Sequence, residues 1–286
     1  MQTKVLILGS TGLIGHQIYN YLQVNSDFEL YNISYRKKLR DDTILADIRD
    51  EKKFLEIIKK IEPHIIINCI GILIQGSHND PENAIFINAY MPHRLMRFAD
   101  EIGAKLIHIS TDCVFSGDKK ESYTETDIPD GKDIYARTKA LGEIISDKHL
   151  TLRTSVVGPE LKNDGEELFH WFMKQSGTIN GFTKAIWSGV TTIELAKVVK
   201  WAIDYDIIGL YHVTNNVPIS KYDLLSLLKE YTNKDIVINK IDGRDTDKSF
   251  IDTRDEINYT IPSYDKMIND LCNVIQNDNI YKKYFT

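Results

Sequence analysis

The feature that most constrains the fold is an apolar segment that runs directly into a glycine-rich turn. Lys4–Leu8 ends in four consecutive aliphatic residues and is followed by glycines at positions 9, 12 and 15, after which residues 13–22 show helical periodicity. A continuous apolar run is typical of a strand buried on both faces of a parallel sheet. Glycines serve where a strand turns sharply into a helix. The segment therefore predicts the opening strand, turn and helix of a parallel α/β sheet.

Apolar strands and amphipathic helices then alternate along the chain. Helices are predicted over residues 51–61, 81–102 and 134–146, and strands over 28–34, 65–69, 105–109 and 150–153. This alternation predicts an α/β fold built on a doubly wound parallel sheet. We expect a dinucleotide-binding Rossmann domain over residues 1–158 and a smaller mixed α/β substrate region over 159–286, partly interleaved with it.

The glycine-rich turn is a candidate dinucleotide site, although its spacing is GxxGxxG rather than the usual GxGxxG. Free N–H groups and the dipole at the start of the following helix favour a bound pyrophosphate. A glycine-rich strand–helix turn without a ligand is the alternative. The residues expected to line the site are Gly9, Thr11, Gly12, Leu13, Ile14 and Gly15.

The end of the second strand indicates which nicotinamide cofactor binds. An acidic residue there would hold a ribose 2′-hydroxyl, whereas a basic residue accepts a 2′-phosphate. The sequence has no acid at this point and instead carries Arg36, Lys37 and Lys38. This favours NADPH, with Arg36 and Lys37 as its ligands and NADH as a further option; a solvated basic loop is the alternative.

Tyr135 and Lys139 are spaced so that both side chains point to the same side of a predicted helix. A phenol with a pKa of about 10 is a poor acid at neutral pH. An ammonium beside it favours the phenolate and brings the pKa toward the working range. The pair therefore indicates a proton-delivery group, although such a spacing also arises by chance.

Composition excludes several classes of function. The net charge of −6 leaves no excess of cations for nucleic acid or an anionic membrane. The longest apolar run, residues 65–74, is too short to span a bilayer. The three cysteines lack disulfide or metal-ligand spacing, and the first residues lack a signal-peptide layout. We expect a cytoplasmic protein without a metal; a homodimer is one alternative for its assembly.

Longer motifs carry a family resemblance. Residues 108–117 are followed by 123–127 and 135–143, with further matches at 46–48, 67–71, 87–89 and 152–158. In these motifs the chain, from Lys4 to about Leu271, resembles the extended short-chain dehydrogenase/reductases. Among them it is most similar to the dTDP-4-dehydrorhamnose reductase family.

The resemblance implies NADPH-dependent reduction of the 4-keto group of a nucleotide-diphosphate-linked 4-keto-6-deoxyhexose, in synthesis of surface polysaccharide. It implies that Thr111 donates a hydrogen bond to the carbonyl, that Tyr135 delivers the proton and that Lys139 binds the nicotinamide ribose. The cofactor groove would be lined by Asp47, Ile48, Gly71 and Asn88, and the substrate contacted by Asp112, Cys113, Lys184, Trp187 and Arg254.

Cys113 departs from the family pattern, which usually has a tyrosine at this position. It is similar instead to bifunctional 3,5-epimerase/4-keto-reductases, in which a cysteine moves protons beside the keto group. Lys184 would be the cation that opposes it. A small packing cysteine and a phosphate-contacting lysine are the alternative.

A third hypothesis is a non-catalytic subunit on the same fold, as the regulatory subunit of methionine adenosyltransferase is in this superfamily. Fold alone does not decide between these functions. The sequence retains Thr111, Tyr135 and Lys139, and this favours an enzyme.

Overall fold

In the computed structural model, which describes residues 2–285, the chain groups into two compact units that interleave along the sequence. Unit 1 comprises Met1–Thr111, Lys132–Arg153 and Val199–Tyr211, and unit 2 comprises Asp112–Gly131, Thr154–Val198 and His212–Thr286. The sequence predicts a domain boundary after residue 158. That boundary differs from this grouping by contacts and stays a prediction.

The strands and helices alternate through most of the chain. In chain order the strands are β1 (Lys4–Leu8), β2 (Glu29–Ser34), β3 (Ile44–Leu45), β4 (Ile65–Asn68), β5 (Lys105–Ile109), β6 (Leu150–Arg153), β7 (Val156–Val157), β8 (Gly177–Phe182), β9 (Ala185–Trp187), β10 (Val190–Thr191), β11 (Gly209–His212), β12 (Ile219–Ser220), β13 (Ile236–Ile241) and β14 (Thr246–Asp247). The α-helices are α1 (Gly15–Asn25), α2 (Glu51–Ile61), α3 (Ile74–Asn79), α4 (Pro81–Ala84), α5 (Met91–Glu101), α6 (Ile134–Leu141), α7 (Leu168–Lys174), α8 (Thr192–Asp204), α9 (Lys221–Thr232) and α10 (Tyr264–Asn277). A π-helical segment, Ile85–Tyr90, joins α4 to α5, and 3₁₀ turns occupy Asp112–Val114 and Asn279–Tyr284.

The main sheet has the order β11-β6-β5-β4-β1-β2-β3, and the pairs from β3 through β6 are parallel. This order reverses direction between β1 and β4, as in doubly wound nucleotide-binding folds. The predicted α/β fold class is therefore confirmed. Ligands of such folds bind outside the carboxyl ends of the strands near this reversal.

The hydrophobic core of unit 1 fills the space between the sheet and its helices. Leu6, Ile66 and Leu106 from three neighbouring strands pack in one cluster with Phe54 of α2 and Phe98 of α5. All five side chains are fully or almost fully buried. The aliphatic runs that predicted strands are thus the residues that hold the sheet against its helices.

Unit 2 is built from short pairs of strands rather than from one large sheet. β7 pairs with β10 and β8 pairs with β13, both in parallel. A three-stranded sheet has the order β12-β9-β14 and brings the start of α9 next to β9, because Ser220 aligns with Ile186.

An ion pair lies buried beneath α6 in unit 1. Arg153, which ends β6, donates to both carboxylate oxygens of Glu143, with Nε–Oε1 and Nη2–Oε2 distances of 2.9 and 2.7 Å. The exposed fractions of the two side chains are 2% and 5%. Ser110 donates to the same carboxylate over 2.6 Å. The pair therefore ties the segment after α6 to the ends of β5 and β6.

Removing one member of this pair should be costly. Arg153→Met leaves the Glu143 carboxylate buried without its cation, so we expect the free energy of unfolding to fall by about 3–5 kcal/mol. The double variant Glu143→Gln/Arg153→Met removes both charges and should recover most of that loss. Urea unfolding of the three proteins measures this. Equal stability of the single variant and the native chain would show that the pair contributes little.

Candidate functional site

The turn after β1 has a conformation that only glycine adopts easily. Gly9 has a φ of 79°, and its N–H donates to the Ile33 carbonyl over 2.9 Å. At Gly15, where α1 begins, an added Cβ would lie 2.3 Å from the Gly9 carbonyl oxygen. The turn is therefore closed on itself by two glycines, and it delivers the start of α1 to the carboxyl end of β1.

A cluster of cations surrounds Tyr35, just beyond the end of β2. The guanidinium carbons of Arg36 and Arg49 lie 5.2 and 5.5 Å from the centroid of the Tyr35 ring. Arg49 also binds Asp47 through both carboxylate oxygens and donates to the Tyr35 hydroxyl over 3.2 Å. Hydrogen bonds from Arg49 lower the pKa of Asp47. Lys37 is exposed.

Sequence reasoning missed Arg49. Its position two residues after Asp47 is the only signal that the sequence offered, and it becomes meaningful once the fold places Arg49 over Tyr35. Asp47 therefore anchors a second arginine beside the end of β2, next to Arg36.

Asn88 fastens the loop after β4 to the helix α6. Its side-chain oxygen accepts from Ile72 N over 2.8 Å, and its amide donates to Ile72 O over 2.9 Å and to Thr138 Oγ1 over 3.2 Å. Gly71 lies against it, since an added Cβ would sit 3.6 Å from the Asn88 side-chain oxygen. Ile48 is buried. Cofactor contacts by Ile48, Gly71 and Asn88 stay predictions, whereas the bracing role of Asn88 is directly visible.

The predicted catalytic residues lie in unit 1. Thr111 follows β5, and Tyr135 and Lys139 lie on α6, whose first turn is capped by the Asp133 side chain accepting from Ala136 N over 2.8 Å. Lys139 is 4% exposed and donates from Nζ to the Ile109 carbonyl over 2.8 Å. The ammonium is thereby fixed to the carboxyl end of the strand that leads to Thr111.

Lys139 is a charged group that is buried and poorly solvated. Burial lowers the pKa of this lysine to about 8, against the opposing effects of Glu143 and Cys69. Burial raises the pKa of the Cys69 thiol to about 12, so this cysteine is inert at neutral pH. His108 is buried beside Asn68, and desolvation lowers its pKa well below the ordinary value. Lys139 therefore gives up its proton more readily than an exposed lysine does.

The expected substrate residues lie in unit 2 and have different surroundings. Asp112 is buried and donates its backbone N–H to the Thr154 carbonyl over 2.9 Å, and Trp187 is buried against Tyr264. Lys184 is exposed and lies 2.8 Å from Asp242. Arg254 pairs with Glu256. Roles of these side chains and of Cys113 toward a substrate stay predictions.

Among the described residues 2–285, two features are absent: a metal-binding group of side chains and a membrane-spanning helix. No group of three or more His, Cys, Asp or Glu side chains there is arranged to hold a metal ion. Within the same range, no helix has the length and apolar character needed to cross a membrane.

Comparisons with known proteins agree on one family. The family model described as the RmlD substrate binding domain matches residues 3–248. The dTDP-4-dehydrorhamnose reductase of Escherichia coli is 26% identical over 256 residues, 84% of this chain and 83% of that protein. The methionine adenosyltransferase 2 subunit beta of Bos taurus is 26% identical over 252 residues, 80% of this chain and 72% of that protein.

A solved structure shows the same fold. The dTDP-4-dehydrorhamnose reductase of Bacillus anthracis, in complex with NADP, superposes with a TM-score of 0.80 at 24% identity and covers 95% of this chain and 99% of that one. The resemblance found in the sequence motifs is thus confirmed. The chain belongs to the RmlD substrate binding domain family, within the extended short-chain dehydrogenase/reductases.

Proposed function

We propose that this chain uses NADPH to reduce the 4-keto group of a nucleotide-diphosphate-linked 4-keto-6-deoxyhexose. The observation that carries the proposal is the fixed ammonium of Lys139, one helical turn from Tyr135 and bound to the strand that leads to Thr111. The chain is an oxidoreductase of its family, and the reductases named above support the nucleotide sugar as substrate.

The chain's own residues fit the cofactor. The glycine turn closes so tightly that a Cβ at position 15 would collide with the Gly9 carbonyl oxygen, and it leaves the start of α1 at the carboxyl end of β1, where a pyrophosphate is expected. Arg36 and Arg49 supply cations where a 2′-phosphate is expected. The NADP complex of the Bacillus anthracis relative supports the same cofactor. When bound, the reduced nicotinamide supplies the hydride for the carbonyl carbon.

The protein's part is to meet the negative charge that develops on the carbonyl oxygen. Thr111 donates a hydrogen bond to that oxygen, and Tyr135 gives it a proton. The positive charge of Lys139 stabilises the phenolate that Tyr135 becomes, and it does so with a fixed direction because Ile109 holds the ammonium. Donors placed in advance need no reorganisation during the reaction.

A non-catalytic binding subunit is the competing function, because a subunit beta of methionine adenosyltransferase is as similar in sequence as the reductase is. The retained Thr111, Tyr135 and Lys139 favour the enzyme. The cytoplasmic location, the homodimer and the destination of the product in surface polysaccharide stay predictions.

Turnover tests the function directly. With dTDP- or UDP-4-keto-6-deoxyglucose we expect NADPH absorbance to fall, and Tyr135→Phe should lower kcat by at least about 100-fold because the proton donor is gone. Tyr205→Phe, which changes an exposed tyrosine, is the matched control. Turnover that begins only when a separate epimerase is supplied would indicate a plain 4-keto reductase. NADPH binding without turnover of either sugar, with or without that epimerase, would favour the non-catalytic alternative.

The choice of cofactor depends on Arg36. A charge-assisted hydrogen bond contributes about 1.5–3 kcal/mol, so Arg36→Ala should weaken NADPH binding by roughly tenfold or more and leave NADH binding unchanged. Lys38→Ala is the control, since Lys38 donates to the Asp41 carbonyl in the same loop. Titration of cofactor fluorescence gives the dissociation constants. Equal losses for both cofactors would contradict the assignment.

The buried carboxylate of Glu143 should set the alkaline limit of activity. Lys139 is charged below its pKa of about 8 and neutral above it, and Glu143 favours the charged form. In Glu143→Gln/Arg153→Met, the pKa of Lys139 falls, so the loss of kcat/KM on raising the pH should begin at lower pH than in the native chain. Glu143→Asp keeps a carboxylate and should stay closer to the native profile. Identical profiles for all three proteins would show that Glu143 does not act on Lys139.

A further inference from the structure

The glycine turn after β1 is fastened at its beginning to the neighbouring strand β2. The N–H groups of Gly9 and Ser10 both donate to the Ile33 carbonyl, over 2.9 and 3.1 Å. The Ser10 hydroxyl donates to the side-chain oxygen of Asn32 over 2.9 Å, and both side chains are almost fully buried. Strand β2 therefore fixes the first two residues of the turn.

Further along the turn, the carbonyl of Gly12 accepts two hydrogen bonds from a single residue. The ring nitrogen Nδ1 of His16 lies 2.7 Å from this oxygen, and the backbone nitrogen of His16 lies 3.3 Å from it. A carbonyl oxygen only accepts, so Nδ1 is the donor. The ring bond is the shorter of the two, and His16 is fully buried. The side chain of His16 therefore holds this carbonyl in addition to the backbone of α1.

The direction of this carbonyl decides the direction of the next N–H group. A peptide group is planar and trans, so the Gly12 carbonyl and the Leu13 N–H point to opposite sides of one rigid unit. Because Gly12 has no Cβ, its backbone rotates more freely than that of other residues. A hydrogen bond to the Gly12 oxygen therefore also fixes the Leu13 N–H, which the glycine alone would leave free to turn.

The N–H groups in this part of the turn are available to a ligand. Within residues 2–285, no acceptor bonds the N–H groups of Thr11, Leu13 or Ile14, and these three residues are only half-buried. Backbone N–H groups that are closed off from water are almost always paired. Unpaired N–H groups that directly precede a helix favour an anion. The Leu13 N–H that His16 fixes is thus one of a group suited to a phosphate oxygen.

We propose that His16 is a positioning residue for the dinucleotide: by holding the Gly12 carbonyl, it aims the Leu13 N–H at the pyrophosphate of the cofactor. This inference rests on the proposed function for the identity of the ligand, but not on the reduction of any sugar. Glycine permits the conformation of the turn without selecting it, and the histidine makes the selection.

His149 shows what a purely structural histidine in unit 1 would look like. It is 1% exposed, and its Nδ1 accepts a hydrogen bond from Leu106 N over 3.0 Å. It precedes β6, so it lies at the amino end of a parallel strand, whereas the glycine turn lies at the carboxyl end of β1. Replacement of either histidine should lower stability, but replacement of His16 alone should change cofactor binding.

Three ligands separate the pyrophosphate from the rest of the cofactor. NADPH and NADH both carry it, whereas adenosine 2′-monophosphate carries only the adenosine and the 2′-phosphate. Loss of one well-placed hydrogen bond to a charged group should make His16→Leu bind NADPH and NADH about tenfold more weakly. The same variant should bind adenosine 2′-monophosphate as the native chain does. His149→Leu is the matched control and should bind all three ligands normally, as measured by calorimetric titration.

Two polar variants assign the effect to the Nδ1 atom. In His16→Asn, the amide nitrogen is as many bonds from Cα as Nδ1 is, and no atom takes the place of Nε2. This variant should bind NADPH within about threefold of the native affinity. In His16→Gln the amide nitrogen lies one bond further out, so NADPH binding should fall as in His16→Leu. Urea unfolding verifies that each variant is folded.

The role of His16 would be overturned by native NADPH affinity in His16→Leu and His16→Gln. It would also be overturned if His16→Asn bound NADPH as weakly as those two variants do. An equal loss of adenosine 2′-monophosphate binding would show a general disturbance of unit 1, and this result too would contradict the role.

Reduction of the keto sugars, measured in parallel, separates this role from the proposed function. If the native chain binds NADPH more tightly than His16→Leu does but reduces no sugar, the reductase is overturned and the role of His16 is supported. A native chain that binds neither NADPH nor NADH would overturn both.

Discussion

The candidate site in unit 1 depends on one buried ammonium. Lys139 is almost without exposed surface, and water is replaced around it by the Ile109 carbonyl and the charge of Glu143. Burying a charge is costly unless it is paired and hydrogen-bonded. Glu143 is itself buried and must be balanced by Arg153. Three charges therefore depend on one another, and their net effect is a lysine that is still cationic at neutral pH but easily discharged.

The packing around Asn88 explains how α6 comes so close to the rest of unit 1. At Gly142, just beyond α6, an added Cβ would lie 1.9 Å from the Asn88 carbonyl oxygen. Pro92, four residues after Asn88, has no N–H with which to bond that carbonyl. The backbone between α4 and α5 is π-helical at this point. The irregular segment and Gly142 together leave room for α6 to pack close to Asn88. The Asn88 side chain then donates a hydrogen bond to Thr138 of α6.

These details show where sequence reasoning succeeds and where it ends. Buried strands such as Ile65–Asn68 were predictable because a run of aliphatic residues has few other uses in a soluble chain. The single helix predicted over 81–102 is in fact α4, a π-helical segment and α5, since periodicity does not register a local change of helix type. The helix predicted to run to residue 146 ends at Leu141 because Gly142 must approach Asn88. This close contact depends on tertiary packing, which no local sequence pattern encodes.

The same limit applies to the charges that could serve chemistry. Tyr135 and Lys139 were found because a helix fixes the relation between residues four apart. Arg49 was missed because its partner, Tyr35, is brought near only by the fold. The role predicted for Lys184 opposite Cys113 stays a prediction, and the pairing of β8 with β13 places this lysine beside Asp242. An ammonium that already has an exposed carboxylate partner is a weaker proton donor than one whose charge is disfavoured by burial. Burial accordingly lowers the pKa of Lys139, whereas the hydrogen bond with Asp242 raises the pKa of the exposed Lys184.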